Sequence, residues 1–224
     1  MNENYTERRE KASAGFAGFF DILESLVYAI IAVVLVFIFF GRLSVVDGTS
    51  MDDTLSHGEY LIVVNPLFSY KPTNGDIVVI DGGDEFGPYD EPIVKRVIAT
   101  EGQTLTMNFK DMTVFVDGEL IEEEYAKYVY PYFPQNTSSL EYHNSLYNND
   151  KLRPENRLFV QNGTYDPQTG IYSLTIPEDH FFAMGDNRLN SADSRFNAIG
   201  FIQEDFVVGK ATFRLFPFSR MGGL

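Results

Sequence analysis

The sequence contains no cysteine. That excludes disulfides, zinc–thiolate sites and Cys–His catalysis. It is also poor in positive charge: 17 Lys and Arg stand against 32 Asp and Glu, for a net charge of −15. A chain this acidic is repelled by phosphate backbones and anionic lipid headgroups, so nucleic acid is not expected as a partner. Histidine is scarce, with three residues. His57, His143 and His180 read as surface or loop residues, none in a recognisable catalytic setting. There are no internal repeats. What remains is a chain of 224 residues, 44% hydrophobic, enough for one domain of ordinary size plus a short extra segment.

That extra segment is visible at the N-terminus. Ser25–Gly41 carries no charge over 17 positions. As a helix it spans roughly 25 Å, at the short end for a bilayer crossing. Extending it back to Ile22 adds a turn. A cleaved secretory leader has a shorter apolar run ending in small residues, whereas this run ends in Phe37-Ile38-Phe39-Phe40. A buried core helix shows a polar stripe, which is absent here. The expectation is a retained transmembrane anchor over 22–41. Arg8, Arg9 and Lys11 precede it; only Arg42 follows closely, and the next basic residue is Lys71. The positive-inside rule therefore puts residues 1–21 in the cytoplasm and 42–224 outside the cell membrane.

The outer part reads as mostly β. Short runs rich in Val, Ile, Phe and Thr recur at Tyr60–Val64, Asp76–Ile80, Ile93–Thr100, Thr104–Met107, Thr113–Val116, Leu158–Val160, Tyr172–Ile176, Phe181–Met184 and Val207–Leu215. Asp117-Gly118 marks a hairpin. A helical period of about two turns appears only around Glu122–Tyr128. Tyr128–Tyr172 is rich in Tyr, Asn, Pro and Ser and poor in aliphatics. It reads as the loop-rich part of an inserted subdomain at about 108–178.

Three features carry candidate chemistry. Ser50 lies in Gly48-Thr49-Ser50-Met51-Asp52-Asp53-Thr54-Leu55, soon after the apolar run. A serine nucleophile needs a base beside it. His57 is one candidate and Lys95 another. Lys95 stands in Pro92-Ile93-Val94-Lys95-Arg96-Val97-Ile98-Ala99. Alternation on a strand places it on one face with Ile93 and Val97, toward apolar surroundings. Burial lowers a lysine pKa toward the range where a general base works. The third feature is Gly185-Asp186-Asn187-Arg188-Leu189-Asn190-Ser191-Ala192-Asp193-Ser194-Arg195, a polar string directly after an apolar strand.

Taken together and in this order, these strings resemble the bacterial type I signal peptidases, the Gram-positive type especially. The resemblance also takes in Gly75-Asp76-Ile77-Val78-Val79 and the tail Val208-Gly209-Lys210-Ala211 with Phe216-Pro217-Phe218. It implies a mostly β catalytic core with Ser50 as nucleophile and Lys95 as general base. Ser191 would hydrogen-bond and orient the lysine amine. Asp193 and Arg195 would form an ion pair supporting that loop, and Asp186 would help hold it beside Lys95. The Ser50 backbone N–H would serve the oxyanion. Substrates would be exported preproteins with small residues at the first and third positions before the cut, and no metal or cofactor is implied. Two positions depart from the family pattern. Asp53 stands where Pro is usual, and Gly48 stands where some relatives carry an oxyanion serine. Three rivals differ in recognisable ways. Self-cleaving repressors carry an N-terminal DNA-binding domain, the eukaryotic-type signal peptidase has His in place of the lysine, and non-catalytic assembly factors on the same fold tend to lose the serine and lysine.

Overall fold

The computed structural model describes residues 20–35, 41–64, 70–86, 91–108, 111, 113–127, 163–166, 168–169, 171–188, 190–195 and 199–224. The chain separates into two units, Met1–Arg42 and Leu43–Leu224. In the first, helix α1 covers residues 20–35. Leu26, Val27, Ile30, Ile31, Val33 and Val34 are all exposed, so its apolar surface runs around the whole helix. Its polar side chains bond within the helix: Ser25 Oγ donates to Asp21 O at 2.8 Å and Tyr28 Oη to Glu24 Oε1 at 3.0 Å. Among the described residues no helix is long and apolar enough to cross a membrane; residues 36–40 of the expected anchor lie outside them.

The second unit is built on two antiparallel sheets. The larger has strands β1 (Gly41–Val45), β2 (Tyr60–Val64), β3 (Ile77–Ile80), β4 (Ile93–Thr100), β10 (His180–Met184), β11 (Ile202–Gln203), β12 (Val207–Phe216) and β13 (Gly222–Gly223). Their order is β1-β2-β12-β3-β4-β10-β11, with β13 on β12. The smaller holds β5 (Thr104–Asn108), β6 (Thr113–Val116), β7 (Glu119–Leu120), β8 (Gly163–Asp166) and β9 (Ile171–Thr175), in the order β7-β6-β5-β9-β8. The mostly β expectation holds. Between 108 and 178, β6 to β9 join β5 in the smaller sheet, and residues 121–127 lie outside it. The expected strand Leu158–Val160 and residues 128–162 of the insertion lie outside the described residues.

Central β3 is buried at all four positions, as a continuous Ile-Val-Val-Ile run requires when both faces are covered. Three apolar clusters fill the interior. Ile98, Phe182 and Met184 meet Leu105, Met107 and Leu174 between the sheets. Met51, Leu55, Leu61, Val63 and Val79 pack on one side of the large sheet, and Val78, Ile80, Val97 and Phe181 on the other. Asp117 and Gly118 take positive φ of 52° and 83°, the mirror-image turn a two-residue hairpin needs, and β6 pairs β7 across it.

The helical period around Glu122–Tyr128 does not become a helix; Tyr128 lies outside the described residues. Residues 121–127 run without helix, with a turn at 124–125. Lys127 N–H donates to Asp186 O (2.7 Å) and Arg188 N–H to Lys127 O (2.9 Å). These tertiary backbone bonds, with the draw of Arg188 on Glu123, replace the helical ones.

Candidate active site

Ser50 lies in a turn rather than a strand. Asp52 N–H closes on Thr49 O (3.2 Å) and Leu55 N–H on Met51 O (2.8 Å). Met51 and Leu55 are driven into the core, which pins the turn against β2 and β3.

Lys95 is 3% exposed on β4, and Val97, on the same face of the strand, is buried too. Its Nζ donates to Ser50 Oγ at 2.8 Å and to the Val94 carbonyl at 2.9 Å. Removal of the ammonium from water pushes its pKa down to about 8. Asp193 and Asp186 oppose this with smaller effects, and Arg195 adds to it.

The loop after β10 is knitted to both. Ala183 N–H donates to Ser194 Oγ (3.0 Å) and Ser194 N–H to Ala183 O (3.1 Å), which folds the loop back on its strand. Asp193, fully buried, accepts from Arg195 Nε and Nη2 at 2.8 Å each and from Gly185 N–H at 3.0 Å. Burial raises its carboxyl pKa, but the Arg195 charge and these hydrogen bonds outweigh that and leave it below the usual range. Asp186 accepts two bonds from Arg96, at 2.9 and 2.7 Å, and so registers the loop against β4 beside Lys95. Asn187 N–H donates to Ser50 O (3.0 Å), its side-chain amide to Thr49 O (3.1 Å), and the Asn190 amide to Thr49 Oγ1 (2.8 Å). A Cβ on Gly185 would lie 2.2 Å from Ser191 Oγ and 2.4 Å from Ser50 O. Only glycine fits where strand, loop and the Ser50 turn converge.

Ser191 comes to the site, but its hydroxyl does not bond the lysine amine. Ser191 Oγ is buried with no hydrogen-bond partner. Its proximity to Asp193 is one of the lesser causes lowering that carboxyl, although no bond of normal geometry joins them. The Lys95 amine is oriented instead by Val94 O, a backbone group of its own strand. His57 is exposed, its Nδ1 3.1 Å from Asp47 Oδ1 and 3.3 Å from the Gly48 nitrogen; the nitrogen that reaches Ser50 Oγ is Lys95 Nζ. Asp53 forms an exposed ion pair with Lys127 at 2.9 Å, so the loop that lacks proline gains a tie of another kind.

Several residues had no role in the sequence reading. Arg96 and Asn187 stood inside the quoted strings, adjacent to the residues singled out. Glu123 and Tyr125 carried no signal of their own. Glu123 forms a buried ion pair with Arg188, and the Arg96 guanidinium lies 4.0 Å from the centre of the Tyr125 ring. Only the fold selects Glu123 from the run Glu122-Glu123-Glu124.

A family model described as "Signal peptidase, peptidase S26" matches residues 19–216. The chain belongs to this family. As a signal peptidase of family S26 it is a hydrolase that cuts peptide bonds. Signal peptidase I of Bacillus licheniformis is 31% identical over 214 residues, covering 95% of this chain and 96% of that protein. Signal peptidase I T of Bacillus subtilis (strain 168) is 34% identical over 202 residues, covering 88% and 86%. A solved signal peptidase I from Enterococcus faecalis V583 is 25% identical and covers 65% of this chain and 100% of its own, with a TM-score of 0.40.

Proposed function

We propose that Ser50 is the nucleophile and Lys95 the general base of a membrane-anchored endopeptidase that removes signal peptides from exported preproteins after small residues. The observation that carries this is the 2.8 Å contact between Ser50 Oγ and Lys95 Nζ, with Lys95 almost fully buried. A base must stand within hydrogen-bond reach of the proton it takes. With a pKa of about 8, about a tenth of the amine is neutral at pH 7. In that form the contact runs the other way, and the Ser50 hydroxyl donates to Nζ. Ser50 attacks the scissile carbonyl, Lys95 passes the proton to the leaving amine, and the acyl-enzyme is hydrolysed by a water that Lys95 deprotonates. The developing oxyanion is met by the Ser50 backbone N–H, which donates to no described residue and so is available. Losing such a donor typically costs about 10²–10³-fold in rate.

Asp186, Asp193 and Arg195 support this arrangement through the loop that holds Ser50 O and faces Lys95. Ser191, buried beside the same loop with its hydroxyl unbonded, is assigned to support the Lys95 amine. These steps use the Ser50 and Lys95 side chains, the Ser50 backbone N–H and a water. The all-round apolar surface of α1 and its internally satisfied polar groups support insertion of the N-terminal segment in the cell membrane, with residues 42–224 on the outer face. The net charge of −15 supports a role without nucleic acid.

Cleavage of a preprotein in detergent or lipid tests the reading. Ser50→Ala and Lys95→Ala are each expected to abolish it, and His57→Ala to leave it near the wild-type rate. Activity retained in Lys95→Ala would sink the Ser/Lys assignment.

A further inference from the structure

The turn carrying Ser50 has two ends, and the loop of 185–190 grips only the first. Its carbonyls have identifiable partners. Thr49 O is taken by Asp52 N–H and the Asn187 amide, Ser50 O by Asn187 N–H, and Met51 O by Leu55 N–H. The carbonyls of Asp53 and Thr54 are taken from the C-terminal end of the chain. Arg220 Nη2 donates to Asp53 O at 2.8 Å and Thr54 O at 3.2 Å, and Arg214 Nη2 also donates to Thr54 O. Arg220 Nη1 reaches Ser56 Oγ at 3.1 Å and Glu59 Oε1 at 2.8 Å. Glu59 is 3% exposed, and its other oxygen lies 2.8 Å from Arg214 Nε. One buried carboxylate thus holds two arginines, and these hold the stretch 53–59. Arg220 is itself set by the bond from its N–H to Pro217 O (2.9 Å) and by β13, which folds Gly222–Gly223 back onto β12.

We propose that Arg220 is a positioning residue for the peptidase reaction: it braces the far end of the nucleophile turn so that Ser50 keeps its register with Lys95. The proposal rests on Ser50 being the nucleophile. Met51 and Leu55 hold the turn by burial, but apolar contact is non-directional and leaves rotation about it cheap. A planar guanidinium that engages two carbonyls, a hydroxyl and a carboxylate at once supplies the direction. Displacement of a nucleophile by a fraction of an ångström affects attack rather than substrate binding. The Arg220 side chain is 39% exposed, so its truncation opens no core cavity, and Glu59 keeps Arg214 as partner.

The test uses the full chain in detergent micelles with a preprotein substrate. kcat and KM are measured separately for wild type, Ser50→Ala, Arg220→Ala and Arg220→Lys, with a thermal melt for each. Well below its melting temperature, Arg220→Ala is expected to lose about tenfold in kcat with KM within about twofold, about the size of one charge-assisted hydrogen bond. Arg220→Lys is expected to recover only part, because an ammonium cannot span the same acceptors. A folded Arg220→Ala with kcat within twofold of wild type overturns the proposal, as does a change in KM alone. If Arg220→Ala does not fold, Arg220→Lys decides by the same split: a threefold or greater loss in kcat supports the brace, and an unchanged kcat overturns it. Activity in Ser50→Ala would overturn the nucleophile assignment itself, whatever the arginine variants do.

Discussion

Lys95 is held where a lysine is least comfortable. With its pKa lowered from 10.5 to about 8, the folded protein disfavours the ammonium by about 3 kcal/mol relative to the unfolded chain. Below pH 8 both states are protonated and the whole penalty is present. Between pH 8 and about 10.5 the unfolded chain keeps a proton that the folded one has released, so stability rises with pH across that window. With Lys95 as the proposed base, catalysis follows the same titration, because the base acts as the neutral amine. kcat/KM is therefore expected to climb tenfold per pH unit below about pH 8 and to level above it, as read from initial cleavage rates in a pH series. Lys95→Met removes both the base and the penalty. It is expected to be inactive yet more stable at pH 7, by about 2 kcal/mol once its two hydrogen bonds are discounted, and the gap in melting temperature should close as the pH is raised. A wild-type protein that stays the less stable by the same margin at pH 10 would contradict burial as the origin of the lowered pKa.

At the scale of elements, the catalytic loop is clasped from outside by residues 121–127. Their backbone pairs with Asp186 and Arg188, Tyr125 lies against the Arg96 guanidinium, and Glu123 and Arg188 form an ion pair that is almost entirely buried. Removing one partner of such a pair strands the other charge in the interior, at a cost of about 3–5 kcal/mol. Glu123→Gln is expected to destabilise the protein by at least about 2 kcal/mol, measurable as a lower melting temperature. Any loss of activity should be recovered on cooling, because no group of Glu123 reaches Ser50 or Lys95. The exposed Lys127–Asp53 pair belongs to the same clasp, but solvent screens it and it contributes little.

At the scale of the whole molecule, the proposed reading assigns anchoring to the helical unit and chemistry to the β unit. Apart from Gly41 and Arg42 at the start of β1, the two sheets lie within the second unit, as do the three apolar clusters and the residues of the proposed site. A chain beginning at Gly41 is expected to cleave a short peptide substrate at a rate within about threefold of the full protein, and to be lost from sedimented lipid vesicles that carry the full-length protein down. A shortened chain with no peptide cleavage although folded would show that the first unit takes part in the chemistry.

The pattern along the chain by itself determined a good deal. Runs of β-branched and aromatic residues between turn residues gave β2, β4, β6 and β10 nearly to the residue, because strand formation and turn chemistry are local. Five strings in one order resemble the signal peptidases, and it was this resemblance that pointed to Ser50, Lys95 and the polar string Gly185–Arg195. Tertiary structure decided what local physics cannot. It stretched 121–127 along the catalytic loop, where local periodicity favoured a helix, because backbone bonds to Asp186 and Arg188 were available there. It paired Asp186 with Arg96 and Glu123 with Arg188, choices among many equivalent charges that only proximity makes. It gave the Lys95 amine to Val94 O and left the Ser191 hydroxyl unbonded. And it brought Arg220, 170 positions beyond Ser50 in the sequence, to the end of the nucleophile turn, a contact no sequence spacing encodes.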